Sequence, residues 1–132
     1  MATNNTTPES YSGTNAAEAP SKQQIFDVLS NERRRRVISA LVSDESTTVS
    51  ALSTELAAEE NDCSPLELTS QQRKRLYISL YQSHLGKLAE IDVINYNDAR
   101  GRVRRGDHFW AFADVLDVAI NVCEAHDVGG AA

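Results

Sequence analysis

Eight positively charged side chains fall between Thr69 and Arg105, a stretch that holds only three carboxylates. The local balance is +5, whereas the whole chain carries a formal charge of −6. An acidic protein that concentrates eight of its thirteen cations in one segment is expected to direct them at a polyanion, and the commonest polyanion is nucleic acid. The chemistry that this segment predicts is therefore contact with phosphate.

These cations fall on a predicted helix and on the hairpin that follows it. Thr69 and Gln72 form a capping box, in which each side chain satisfies a free backbone N–H, so a long helix is predicted from Thr69 to about Glu90. Residues 92–105 then alternate as a strand, break at a turn that contains Asn, Asp and Gly, and return as a second strand. A helix followed by a basic hairpin predicts a winged helix-turn-helix DNA-binding domain.

An advance of about 100° per residue divides the long helix into two faces. The face predicted to be buried carries Tyr77, Ile78, Tyr81, Leu85 and Leu88. The face predicted to be exposed carries Arg75, Ser79, Gln82 and Gly86, with Ser83 beside them. In a major groove, an arginine can contact guanine, a hydroxyl can contact either base type, and an amide can contact adenine. The neighbouring Arg73 and Lys74 are in range of phosphates. The alternative is that any solvated helix face is polar.

The hairpin is predicted to lie along the DNA backbone or in the minor groove, because it is basic almost throughout. Its cations are Arg100 in the turn and Arg102, Arg104 and Arg105 on the second strand. The alternative is an edge strand that carries charge to prevent aggregation.

Four consecutive arginines, Arg33 to Arg36, lie at the start of the second predicted helix. They cover about 300° of the helix circumference and cannot all address one surface. We expect a mainly structural role, with at least one buried stem and ion pairs to nearby acids such as Asp27 and Glu32, and with one or two of the four touching phosphate.

The fold class predicted is mainly α with a small β-hairpin wing. Apolar periodicity predicts three helices between Pro20 and Asn61, with a very short strand at Thr47 to Val49 and a third helix capped by Ser50. The predicted organisation is a disordered tail at 1–21, a winged helix-turn-helix domain at 22–106, a C-terminal dimerisation helix at 107–126 and a disordered tail at 127–132.

No group of residues supports an enzyme, a metal site or a cofactor. The two cysteines, Cys63 and Cys123, share no metal-ligand spacing with each other or with the three histidines, and two isolated cysteines favour a reducing cytoplasm. The first twenty residues do not form a signal peptide. The apolar stretch at 109–123 is interrupted by three polar residues and is too short to cross a bilayer. The sequence predicts a cytoplasmic protein without membrane contact.

The last predicted helix is apolar over most of its circumference. A helix of this kind is buried in a core or against a partner. Because the winged domain is expected to be complete by Arg105, the same helix of a second subunit is the preferred partner. The predicted dimer interface is Phe109, Phe112, Leu116 and Ile120. The alternative is a helix folded back on its own domain.

Two runs, LSNERRR at 29–35 and LTSQQRKRLYISLYQSHL at 68–85, resemble the haloarchaeal ArsR-like winged helix-turn-helix domains, whose functions are largely unassigned. The resemblance extends from Ile25 to Arg105. It implies a transcription regulator that binds double-stranded DNA as a dimer in a high-salt cytoplasm, and nineteen acids against thirteen bases agree with such a cytoplasm. It supplies no effector, and the paired cysteines of metal-sensing relatives are lacking.

Winged folds also serve as protein-interaction modules, so the fold by itself does not decide the function. The alternative function is therefore a winged-helix module that binds a protein and has lost DNA binding. The basic helix and hairpin favour DNA.

Overall fold

The computed structural model describes residues 19–131 and, beyond residue 126, the backbone alone. Most of the predicted tail at 1–21, and residue 132, lie outside the described residues. The described part of the chain contains the helices α1 (Lys22–Leu29), α2 (Glu32–Ser43), α3 (Val49–Glu60), α4 (Ser70–Ser79), α5 (Leu85–Glu90) and α6 (Phe109–Ala131). Its strands are β1 (Ser46–Thr48), β2 (Ile94–Asn97) and β3 (Arg102–Arg105). The fold is mainly helical, with one small antiparallel sheet.

Side-chain caps fix where the helices begin. The predicted capping box of α4 is confirmed, since the Gln72 N–H donates to Thr69 Oγ1 at 3.0 Å and the Thr69 N–H donates to Gln72 Oε1 at 2.8 Å. Helix α3 begins earlier than predicted, because Thr48 and not Ser50 caps it by accepting the Ala51 N–H at 3.0 Å. Each cap satisfies a donor that the first helical turn leaves without a partner.

The three strands pair in the order β1–β3–β2. Val103, in β3, lies opposite Thr47 of β1 and Tyr96 of β2 and is fully buried. Its neighbours Arg102 and Arg104 point to the other face, because side chains alternate along a strand. The predicted hairpin is thus confirmed, and β1 adds a third strand to it.

The core lies between the helices and the inner face of the sheet. Its largest fully buried side chains are Phe109, Phe112, Ile38, Leu41, Leu52, Leu56, Leu80, Leu85, Leu88 and Ile94. These come from α2, α3, the α4–α5 region, β2 and α6, so the elements share one hydrophobic cluster.

Helix α6 joins this core through its first half. Phe109 and Phe112 are fully buried, and Leu116 is 5% exposed. The prediction that these three residues form a dimer interface is wrong, because they pack within their own domain, where α6 meets α1 and α2. Ile120, the fourth predicted interface residue, is exposed.

The second half of α6 has a different environment. Every side chain from residue 117 to residue 126 is exposed. The backbone remains helical to Ala131, through most of the tail that was predicted to be disordered from residue 127. Across the described residues, no helix combines the length and apolar character that a membrane crossing requires.

The long predicted helix contains a π-helical segment, Leu80–His84, between α4 and α5. The buried leucines of this region are at positions 76, 80, 85 and 88, which gives intervals of four, five and three residues. A π turn accommodates one more residue than an α turn. The extra residue therefore keeps all four leucines on the face that meets the core.

A uniform helical wheel does not represent this π turn. It was wrong to place Tyr77, Ile78 and Tyr81 in the core, since all three side chains are exposed. The buried positions in this part of the helix are Leu76 and Leu80. The wheel was correct for the residues beyond the π segment.

Deleting Ser83 should leave the fold intact. The leucine intervals would become four, four and three, which a regular α-helix accommodates, so the π turn should become α-helical with little change in Tm. Deleting Gly86 should instead rotate Leu88 by about 100° relative to the leucines before it. That deletion should lower the free energy of unfolding by about 2–5 kcal/mol, the range for loss of a buried leucine. Thermal denaturation of both variants measures the difference, and equal destabilisation would contradict this account of the π turn.

Candidate nucleic-acid interface

Arg34 and Arg35 are engaged inside the protein, at the end of α1. The Nε of the buried Arg34 donates to the Val28 carbonyl at 3.0 Å, and its Nη2 donates to the Asp27 carbonyl at 2.8 Å. Arg35 Nη1 donates to the Leu29 carbonyl at 2.7 Å. The last carbonyls of a helix lack helical partners and carry partial negative charge. These two guanidinium groups therefore stabilise the junction between α1 and α2.

Arg33 and Arg36 form ion pairs with carboxylates of α2 and α3. Arg33 donates from Nε and Nη2 to the two carboxylate oxygens of Glu60, at 2.6 and 2.8 Å, and from Nη1 to Ser79 Oγ at 2.8 Å. Arg36 donates to Glu32 at 2.7 Å. The expectation of a mainly structural role for the arginine run is confirmed. The prediction that Ser79 faces DNA is wrong, because its hydroxyl accepts from α2.

Arg105 stabilises the other end of α2. Its Nε donates to the Leu41 carbonyl at 2.8 Å, and its Nη2 donates to the Val42 carbonyl at 3.2 Å. Its guanidinium carbon lies 5.0 Å from the ring centroid of Trp110, within cation–π range. The prediction that Arg105 contacts DNA is therefore wrong, because the side chain is held between α2 and α6.

Lys87 and Arg73 also have partners within the protein. Lys87 Nζ lies 3.2 Å from Asp27 Oδ2 in an exposed ion pair, which contributes little to stability. Arg73 is half-buried, and its Nη1 donates to the Leu68 carbonyl at 3.2 Å. Arg73 therefore has only part of its guanidinium available for the predicted phosphate contact.

Five cations of the Thr69–Arg105 segment remain available to an external ligand. They are exposed, and no hydrogen bond or ion pair within the described part of the chain engages their side chains: Lys74, Arg75, Arg100, Arg102 and Arg104. The first two lie on α4 and the other three on the hairpin. The structure thus reduces the eight cations of this segment to five that can bind an anion outside the protein.

The outward face of the α4–α5 region mixes charged, amide and aromatic side chains. Four residues predicted to be exposed are exposed: Arg75, Gln82, Ser83 and Gly86. Tyr77 and Tyr81, which the sequence placed in the core, lie on the outside with ring centroids 6.3 Å apart and ring planes inclined by 18°. This face therefore offers both hydrogen-bonding and apolar contacts.

The turn of the hairpin lies against this helical region. The Asp98 carboxylate in the turn raises the pKa of the Tyr81 hydroxyl, chiefly through its negative charge. Burial, followed by the charge of Asp98, raises the pKa of Tyr96 to about 12. Both phenols stay neutral at physiological pH. Arg100 belongs to the same turn.

A groove of about 270 Å³ lies between α3 and α4, and hydroxyl and cationic groups dominate its lining: Ser50, Ser53, Thr54, Ser70, Arg73, Lys74 and Tyr77. Hydroxyls and cations together suit a phosphate oxygen. Sequence reasoning did not single out Ser50, Thr54 or Ser70 as candidate binding residues. The available signal was the recurrence of hydroxyls at i, i+3 and i+4 on α3, which places them on one helix face.

Residues 26–104 match the DUF7344 family, which is described as a domain of unknown function. The chain belongs to the DUF7344 family. The DUF7344 match begins within α1 and ends within β3, so it contains all five available cations and leaves α6 outside. No curated protein and no solved structure matches the chain.

One histidine of the DUF7344 domain, His84, is part of the π segment. Burial, followed by the positive charges of Arg34 and Arg33, lowers its pKa from the ordinary value of 6.5, and Glu60 opposes this effect. Its Nδ1 is buried and has no hydrogen-bond partner among the described residues. The folded DUF7344 domain therefore favours neutral His84.

This pKa shift predicts the pH dependence of stability. Between the lowered pKa of folded His84 and the value of 6.5, the unfolded chain binds more protons than the folded one, so the free energy of unfolding should fall as the pH decreases through this window. His84→Gln should remove that part of the pH dependence. Urea denaturation from pH 7.5 to 5 measures it. Substituting the exposed His126 in the same way is the control, and a profile unchanged by His84→Gln would contradict the assignment.

Proposed function

We propose that the protein is a sequence-selective regulator of transcription that binds double-stranded DNA as a homodimer. One observation carries the proposal: apart from Lys22, every cation whose side chain lacks a partner among the described residues lies on α4 or on the hairpin. The rest of the chain is acidic, with a formal charge of −6 overall. Cations that serve only solubility would be dispersed, whereas a polyanion is bound by cations grouped together.

A winged helix-turn-helix assignment agrees with the order of the elements. α2, β1, α3, α4 and the hairpin follow one another, and β1 pairs with β3. In this assignment α3 and α4 are the helix-turn-helix pair, and the β2–β3 hairpin is the wing. The segment between α3 and α4 is longer than a minimal turn and contains a 3₁₀ turn at Pro65–Glu67. The ArsR-like resemblance of the sequence supports the same assignment.

The proposed roles follow from the chemistry of the exposed groups. α4 enters the major groove, where Arg75 and Gln82 reach base edges, since arginine suits guanine and an amide suits adenine. Lys74 and the hydroxyls of Ser50, Thr54 and Ser70 in the α3–α4 groove hold phosphates. The hairpin arginines follow the backbone or the minor groove. No cofactor or metal takes part.

The proposed function predicts different roles for Gln82 and Arg102, base recognition and phosphate contact, and these roles can be tested separately. Duplexes are first selected from a random double-stranded library with the full chain, and binding is then measured on the selected duplex and on a scrambled one. Gln82→Ala should weaken binding to the selected duplex by about 1–3 kcal/mol and blur its sequence preference. Arg102→Ala should weaken both duplexes alike. Equal losses for both variants on both duplexes would contradict these roles.

A protein-interaction module without DNA binding is the alternative function. Exposed apolar side chains on the second half of α6 and on α4 are the observation that favours it. Immunoprecipitation of the tagged protein discriminates the two functions. Enrichment of discrete genomic sites supports the regulator, and recovery of protein partners without DNA enrichment supports the module.

A further inference from the structure

Ile78 lies at the centre of the outward face of α4. An advance of about 100° per residue places it opposite the midpoint between Leu76 and Leu80, the two leucines buried at this level. Its side chain is 42% exposed. An isoleucine, whose side chain has no polar atom, thus lies on the face of α4 opposite the buried leucines, and α4 is the helix that we propose enters DNA.

The residues around Ile78 form a defined pattern. Tyr77 and Tyr81 are exposed beside it, so the apolar surface is a continuous strip. A single exposed apolar side chain is common on protein surfaces and would need no explanation. Lys74 and Arg75 lie on the same side of the helix and are also exposed. A surface that is apolar at its centre and cationic beside it is complementary to a ligand with apolar groups between two rows of anions.

We infer that Ile78 contacts the C5-methyl groups of thymine, so that the protein selects duplexes with thymine opposite the middle of α4. Of the four bases, thymine alone presents a methyl group in the major groove, and the other base-edge groups there are hydrogen-bond donors or acceptors. The phosphates that border the groove complement Lys74, while Arg75 is left for the base edge proposed for it. This inference rests on the proposed function and adds to it the base that an apolar contact recognises.

Replacing thymine with deoxyuridine provides a direct test, because it removes only the methyl group and keeps Watson–Crick pairing. The duplex selected from the random library is resynthesised with deoxyuridine at every thymine of its common core. The affinity of the wild-type protein should fall about fourfold for each contacted methyl group, the ratio expected for one buried CH₂-sized group. Ile78→Ala should bind the thymine duplex more weakly than the wild type does and should bind the two duplexes equally.

Two matched controls separate this contact from general effects. Ile78→Val keeps a branched apolar side chain and should still discriminate between the duplexes, whereas Arg102→Ala should weaken both by the same factor. Because Ile78 lies outside the core, the Ile78 variants should melt close to the wild type. Equal wild-type affinity for both duplexes, or undiminished discrimination by Ile78→Ala, would overturn the inference and leave DNA binding intact. If no duplex is selected at all, the proposed function fails and the inference fails with it.

Discussion

Replacing Arg100, Arg102 and Arg104 together with alanine should make DNA binding much weaker and much less sensitive to salt. Each phosphate contact contributes about 0.9 to the slope of log affinity against log salt, so the slope should fall by about 2.7. The loss should be similar on selected and random duplexes, because phosphate contacts carry no base information. Fluorescence anisotropy at several potassium chloride concentrations measures both the slope and the affinity.

Lys22→Ala is the control for this triple variant. Lys22 is also exposed and lacks an ion pair among the described residues, but it lies on α1, away from the proposed DNA-binding elements in the chain. It should change the slope little. The titration should extend to molar salt, where the Debye length is only about 3 Å and long-range attraction to phosphates is lost. A slope that is unchanged in the triple variant would rule out phosphate contacts by the hairpin.

Local structure could be predicted from the sequence because its causes are local. The Thr69 capping box depends on residues three positions apart, and its two hydrogen bonds form as expected. The hairpin similarly depends on alternation and on turn residues, including Gly101, whose φ is 64°. Patterns of this kind are complete within a few residues, so one sequence is enough to read them.

The division of the cations could not be predicted, because their partners lie far along the chain. Arg104 and Arg105 are neighbours of the same type, yet Arg104 is exposed and Arg105 donates to the Leu41 carbonyl, sixty-four positions away. Arg33 similarly reaches Glu60 and Ser79. A sequence shows which groups carry charge, and only the tertiary structure shows which charged groups already have partners within the protein.

The phase of the long helix was mispredicted for a related reason. The wheel grouped Ile78 with Leu85, and this grouping is correct only if the helix is uniform from end to end. Packing instead buries Leu76 and Leu80, and the π segment absorbs the extra residue before Leu85. The burial of the leucines therefore determines which face of the helix meets the core, and the tyrosines of this region lie on the surface.

Helix α6 combines two environments that its sequence does not separate. Both halves are apolar, but the first half fills the core through Phe109 and Phe112, and the second half leaves Val118 60% exposed and Val122 50% exposed. A domain that ended at Arg105 would therefore lack part of its core. The expectation of a partner for α6 applies only to the second half.

Two charged substitutions in the second half of α6 should together convert the proposed dimer into a monomer. Val118 and Val122 lie one helical turn apart, so glutamate at both positions would place two charges in one exposed apolar strip. Light scattering should give twice the chain mass of 14.5 kDa for the wild type and the single mass for the double variant.

The same double variant should lose most of its affinity for a two-half-site operator. A dimer binds the second half-site at a high effective concentration, which raises the affinity by a factor of about 10²–10⁴. The half-sites should lie about 10 base pairs apart or a multiple of that. The fold should be unaffected, since neither valine belongs to the core. Asn121→Glu adds a similar charge to the polar stripe that Asp114 and Asp117 mark, and it should leave both dimer and affinity unchanged. A monomeric wild type that binds its operator tightly, or a monomeric double variant that binds it as well as the wild type, would refute dimerisation through α6.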